Sequence, residues 1–171
     1  MNLRNLRIKN SAQPAQVLHP PGDSWHKDGK LNIQEFLRFA LKPLSEHPRA
    51  QLQQWHDAFM AEVIVGKLHP AAVALVKRHQ DAGDLCCVVT ATNSFVTRPI
   101  VNAFGITHLV ATEPATINNE ATQMFTGAVH GIPSFREGKI QRVRDWLASM
   151  GHTMEQMENS YFYSDSLNDL P

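Results

Sequence analysis

The chain has 171 residues, 43% hydrophobic and 19% charged, with Lys+Arg 16 balanced by Asp+Glu 16. That length suits one domain with a sizeable core, and zero formal net charge argues against a nucleic-acid partner bound by neutralising many phosphates. No run approaches the ~18 apolar residues of a membrane span, so the expectation is a soluble chain with no membrane partner.

The charge balance is uneven along the chain. Residues 1–50 carry 8 Lys/Arg and 4 Asp/Glu, which leaves 8 and 12 for residues 51–171. Residues 1–27 hold Arg4, Arg7 and Lys9, then Pro14, Pro20 and Pro21, with neither an apolar secretory core nor helical periodicity. They are read as a disordered or non-native leader.

From Asn32 the pattern sharpens. Ile33, Phe36, Leu37, Ala40, Leu41 and Leu44 follow one helix face, with Asn32 placed as cap and Pro43 as the end. A second helix is predicted from about Pro48, with Leu52, Trp55, Phe59 and Val63 on one face and Gly66 as its stop. The two form a helical hairpin that needs another surface to bury its apolar faces.

The rest alternates between strand and helix. His69-Pro70 opens a helix that stops at Gly83, and Leu85–Val89 reads as a strand buried on both faces, ending in Thr90. A helix ending near Gly105 and a strand from Ile106 to Ala111 follow, with Thr122–Val129 as hairpin strands. A helix after Gly138 carries Ile140, Val143, Leu147 and Met150 and stops at Gly151, and Tyr161-Phe162-Tyr163 is read as a strand running into Ser164-Asp165. The alternation implies a parallel sheet with crossover helices. Cys86 and Cys87 are neighbours on a strand, so they point to opposite faces and suit neither a disulfide nor a zinc cage. A reducing, cytoplasmic setting is expected.

In parallel sheets the working residues lie at the carboxyl ends of strands. Thr90, Thr92 and Asn93 offer hydroxyls and backbone N–H groups at a helix start, which suits an anion cradle. Asp165 and Asp169 supply hard oxygen ligands suited to Mg²⁺. Lys139 is a cation at a positive helix end, which is favourable only beside an anion. Each has a plainer alternative: strand-end caps for Thr90 and Thr92, a solvated helix residue for Lys139, a helix cap and first-turn acid for Asp165 and Asp169. Arg136 and Asn93 are candidate substrate contacts or surface residues. The nine histidines include no pair with metal-ligand spacing on one face. Cradle, lysine and carboxylates in this order outline a phosphoryl-transfer site.

These segments resemble the haloacid dehalogenase superfamily of phosphatases, in its phosphoserine-phosphatase-like branch with a small helical cap. VVTATN at Thr90 is similar to the family's second motif, REGK at Lys139 to its third, and SDSLND to its fourth, with Ser164 in the usual glycine position. The resemblance runs from about Asp28 to the last residue. It implies an α/β fold, a Rossmann-like parallel sheet with crossover helices plus a small helical cap, truncated at both ends. Residues 28–66 would be the cap region and residues 67–171 a partial hydrolase core. It further implies a small phosphorylated metabolite as substrate and Mg²⁺ as cofactor. Thr90 would bond phosphoryl oxygens, Lys139 would neutralise phosphate charge, and Asp165 would hold Mg²⁺. Asp169 would support the metal shell or Lys139, and Asn168 would touch phosphate. Thr92, Asn93 and Arg136 would line the substrate. The cap helices show packing residues and no recognition code.

The family's first motif, DxDxT at the end of an apolar strand, supplies its aspartate nucleophile and its acid/base. This chain has no such sequence, since the only acids before the hairpin are Asp23 and Asp28. The expectation is a fragment of a Mg²⁺-dependent phosphomonoester hydrolase with little or no turnover and exposed apolar sheet edges. A non-catalytic relative that binds phosphate or a partner, and an enzyme of another mechanism, are the alternatives.

Overall fold

The structure is a computed structural model that describes residues 32–164. By internal contacts the chain divides into residues 1–40 and residues 41–171. Asn32 starts helix α1 (Ile33–Ser45) as expected, and residues 41–45 of that helix count with the second unit. Its Oδ1 accepts from Gln34 N at 3.2 Å and from Glu35 N at 3.4 Å, which satisfies amides that have no partner inside the helix. The helix does not stop at Pro43. It runs on to Ser45, because burying Leu44 in the core of the second unit outweighs the one backbone hydrogen bond that proline cannot donate.

In the second unit, α2 (Arg49–Phe59) continues without a break into a π turn, Met60–Ile64, and a 3₁₀ turn, Val65–Lys67. Gly66 lies inside that last turn and not beyond it. Helix α3 (Pro70–Asp81) has proline in its first turn and His69 Nδ1 accepting from Ala71 N at 3.3 Å. Strand β1 (Cys87–Asn93), helix α4 (Ser94–Ala103) and strand β2 (His108–Thr116) then form one parallel crossover, with Cys87 opposite His108 and Val89 opposite Val110. Strand β3 (Phe125–His130) returns antiparallel to β2. Helix α5 (Glu137–Ser149) packs on β1 and β2. The predicted stops at Gly83, Gly105 and Gly151 each fall two residues past a helix end.

The mixed α/β fold therefore has the expected parallel pair and crossover, while the 122–129 segment yields the antiparallel strand. Strand order is β1-β2-β3. That order corrects the expectation that β1 is buried on both faces. Among the described residues β1 pairs with β2 alone, and none of its residues is fully buried. The central strand β2 takes that role, with Val110, Ala111 and Thr112 out of solvent. The face predicted for α5 is likewise half used, for Leu147 is buried whereas Ile140 and Met150 are exposed. Tyr161-Phe162-Tyr163 is not a strand. A strand needs a ladder partner, and among the described residues this segment has none. Its tyrosines gather instead on His79, where Tyr163 Oη lies 2.9 Å from Nε2 while Asp84 holds Nδ1 at 2.7 Å.

The core of this unit is Leu41, Leu44, Leu52 and Phe125, with Trp55, Phe95 and Val129 packed on it. Buried His56 fastens α2 to the start of α4 by donating from Nε2 to Val96 O at 2.9 Å. Gly127 makes the approach of β3 possible. Its φ is +80°, and a Cβ there would stand 3.0 Å from Ser45 Oγ.

Leu41, only 1% exposed, is expected to cost about 3 kcal/mol when changed to Ala, read as a lower urea midpoint. Gly127→Ala should lose about 1–3 kcal/mol from its backbone conformation alone. Cys87, whose thiol burial pushes up from an ordinary 9.0 to about 11, should be alkylated by iodoacetamide at pH 8 about 100-fold more slowly than an ordinary thiol, because only the thiolate reacts.

Candidate functional site

The parallel ladder breaks at the carboxyl end of β1. Val89 lies opposite Val110 but the next pair is Asn93 with Thr112, so Thr90, Ala91 and Thr92 are spread against Ala111 alone. Such an irregularity bends the strand and re-aims its side chains. Thr90 Oγ1 accepts from Thr92 N at 3.2 Å, so one amide of the expected cradle is closed from within. The Thr90 hydroxyl keeps its own hydrogen to donate. Asn93 caps α4, with Oδ1 accepting from Val96 N at 3.0 Å and its carbonyl taking the Thr97 hydroxyl at 2.9 Å. Thr90, Thr92 and Asn93 are all half-buried.

Thr112 links this end to the start of α5. Its Oγ1 accepts from Ser134 N at 3.1 Å, and the two residues are 1% and 0% exposed. Because Asn93 stands opposite Thr112 in the ladder, this bond sets the loop before α5 level with the end of β1. Ser134 Oγ is buried and has no hydrogen-bond partner among the described residues, which is uncommon for a buried hydroxyl.

Beyond Ser134 the chain turns sharply. Phe135 N donates to Pro133 O at 2.8 Å, and Arg136 adopts φ 48° and ψ −123° at the N-cap of α5. A Cβ at Gly138 would lie 2.3 Å from Pro133 O, so only glycine fits the close approach of the two backbones. Lys139 follows, half-buried in the first turn of α5. Arg136 is exposed, with its guanidinium carbon 5.3 Å from the Phe135 ring centroid. The structure thus gathers Thr90, Thr92, Asn93 and the segment leading to Arg136 and Lys139 at one end of the parallel pair. Asp165, Asn168 and Asp169 lie outside the described residues. Among the described residues no group of three or more His, Cys, Asp or Glu is placed to hold a metal ion.

A cavity of about 460 Å³ opens one residue past Asn93, lined by Ser94, Phe95 and Arg98 of α4, Glu113 of β2, Phe125 of β3 and Arg49 of α2, among others. Ser94 donates a very short hydrogen bond to Glu113 Oε2, and Arg142 Nη2 is 3.5 Å from the other carboxylate oxygen. Arg49 stacks its guanidinium carbon 4.0 Å from the Phe125 centroid and 5.2 Å from that of Phe95, and it donates to Ala121 O at 3.3 Å. Burial there lowers the Arg49 pKa from its ordinary value. Arg98 donates to Thr107 O at 2.8 Å.

Sequence reasoning missed Arg49, Ser94, Arg98, Glu113 and the buried Thr112–Ser134 pair. Glu113 alone carried a signal, as an acid within an otherwise uncharged strand segment. Arg49 reads as the first residue of an amphipathic helix, and nothing in its neighbours marks it. Thr112→Val keeps the side-chain shape but strands the buried Ser134 N–H. It should lower stability by about 1–3 kcal/mol and shift the backbone amide resonances of residues 134–139.

The family profile of haloacid dehalogenase-like hydrolases matches residues 5–171. A histidinol-phosphatase of Neisseria meningitidis serogroup C is 40% identical over 167 residues, 96% of this chain and 74% of that protein. A phosphoserine phosphatase of Mycobacterium tuberculosis is 26% identical over 145 residues, 85% of this chain and 45% of that protein. The crystal structure of a protein of unknown function from Bordetella pertussis Tohama I superposes with a TM-score of 0.78 at 47% identity, covering 86% of this chain and 65% of that one. The parallel pair, the crossover and the three ordered motifs agree with these matches: the chain belongs to the haloacid dehalogenase-like hydrolase family, in its phosphoserine-phosphatase-like branch.

Proposed function

We propose that this chain binds the phosphate of a small phosphorylated metabolite at the end of β1, as part of a Mg²⁺-dependent phosphomonoester hydrolase of the cytoplasm. The observation that carries the reading is the link from Asn93 through Thr112 to Ser134, which holds the Thr90 bulge and the start of α5 at one level. In this reading Thr90 donates its hydroxyl to a phosphoryl oxygen. Thr92, Asn93, Arg136 and Asn168 line the substrate, and Lys139 neutralises charge on the phosphate. Placing a cation at a positive helix end makes physical sense once an anion lies between them. Asp165 and Asp169 would hold Mg²⁺, which stabilises negative charge on the transferring group when bound. The helical segment within residues 28–66 would serve as the cap. Histidinol phosphate and phosphoserine, named by the relatives, are the first substrates to try.

The absence of a DxDxT sequence favours a second reading, in which the chain by itself binds phosphate without turning substrate over. Without a nucleophile, binding and charge stabilisation remain but the covalent route is closed. The expected outcome with p-nitrophenyl phosphate and Mg²⁺ is no hydrolysis above background. Inorganic phosphate should still bind by calorimetry, with affinity falling at least tenfold in Lys139→Ala and after chelation of Mg²⁺. Hydrolysis abolished by Asp165→Ala would instead make this chain a competent enzyme. Phosphate binding indifferent to Lys139 would remove the proposed site.

A further inference from the structure

The two halves of the proposed phosphate site come from elements well separated in the chain: the end of β1 with the start of α4, and the first turn of α5. One carboxylate reaches both. Glu113 of β2 takes the Ser94 hydroxyl on Oε2 and faces the Arg142 guanidinium with Oε1, where Nη2 stands 3.5 Å away. Ser94 directly follows Asn93 and is the first residue of α4. Arg142 comes three residues after Lys139 in α5, a spacing that puts the two cations on one face of the helix, about one turn apart.

Arg142 carries the tie further. Its Nη1 donates to Ile132 O at 3.2 Å, in the segment where Thr112 already holds Ser134 N. Adjacent residues of β2 therefore fix the approach to α5 at two points, one directly and one through Arg142. Glu113 is itself anchored, since it pairs with His130 in the ladder to β3. Its side chain is 36% exposed and that of Arg142 is 21% exposed. Partial shielding makes such charged contacts more directional than those on the open surface. They set the roll of α5 about its own axis, and Lys139 projects from the helix so oriented.

The geometry points to Glu113 as a positioning residue. By holding Ser94 and Arg142 on its two oxygens, it fixes the Thr90–Asn93 end relative to Lys139 so that both reach one phosphate. This rests on the phosphate site proposed above and deepens it. A partly exposed ion pair contributes little to stability. Two groups that share one anion, in contrast, lose affinity when either is slightly misplaced.

The test measures binding of inorganic phosphate to the full chain by calorimetry, in the parent, Glu113→Gln, Lys139→Ala and the double variant. Gln keeps the shape and an oxygen for Ser94 but loses the charge that faces Arg142. Glu113→Gln should weaken phosphate binding about fivefold, a size usual for neighbours in one network, and leave the urea midpoint close to that of the parent. Lys139→Ala should cost roughly tenfold or more in the parent but less than about threefold in the Glu113→Gln background, where Lys139 is already displaced. Without phosphate, the amide resonances of residues 90–93 and of Lys139 should move together in Glu113→Gln. Arg142→Gln removes the other side of the pair and should show the same loss and the same coupling to Lys139. It decides the matter if Glu113→Gln does not fold. Independent effects that simply multiply in the double variant would make Glu113 an ordinary structural contact and overturn the assignment. So would a phosphate affinity unchanged in Glu113→Gln. Phosphate binding that is absent from the parent, or indifferent to Lys139 there, would overturn the phosphate site itself and this role with it.

Discussion

The parallel pairing of β1 with β2 is the constraint from which the candidate site follows. Parallel strands joined by a crossover helix must end on the same side of the sheet. Here that puts the residues after Val89 and those after Ala111 together, although about twenty residues of chain separate them. The irregularity in the register then matters, since a ladder that stayed in step would have carried Thr90 and Thr92 past the end as ordinary strand residues. Spreading Thr90, Ala91 and Thr92 against a single partner turns them out of the ladder and returns the chain to pairing at Asn93, which can then cap α4. One short-range decision sets both the mouth of the site and the start of a helix.

A second set of contacts builds outward from that pairing. Thr112 is buried beside Asn93 and fixes Ser134, which sets where the Arg136 turn and Lys139 begin. On the neighbouring part of β2, Glu113 gathers Ser94 and Arg142. From the helical side, His56 reaches the Val96 carbonyl and Arg49 lies on Phe95 and Phe125. These ties use polar groups at the edge of an apolar cluster, where each hydrogen bond is partly shielded from water and therefore more directional than one on the open surface. The cavity wall is thus made of side chains that also hold the unit together, and its charges are fixed in place for the same reason.

The sequence was most informative where one residue type has one physical job. Asn32 before an apolar-periodic run, Pro70 in a first turn and glycines at 83, 105 and 151 mark helix ends because their backbone chemistry allows little else. It misled where the outcome depends on neighbours. Leu85–Val89 has the composition of a doubly covered strand, yet among the described residues β1 lies at the edge of the sheet order. Tyr161-Phe162-Tyr163 is as β-prone as a tripeptide can be, yet among the described residues it has no ladder, and its tyrosine rings pack on His79. Pro43 lacks one donor, but the burial of Leu44 carries the helix past it.

What the amino-acid sequence settled by itself was the alternation of elements, the order of the motifs and, through them, the family. Helical and strand periodicity, caps and breakers act over a few residues, so a linear text can carry them. The tertiary structure alone decided which strand is central, that Thr112 would hold Ser134, and that Arg49 and Arg98 would face one cavity. Those facts come from pairing register and packing between residues far apart in the chain. Their energies depend on what surrounds each group once water has been excluded.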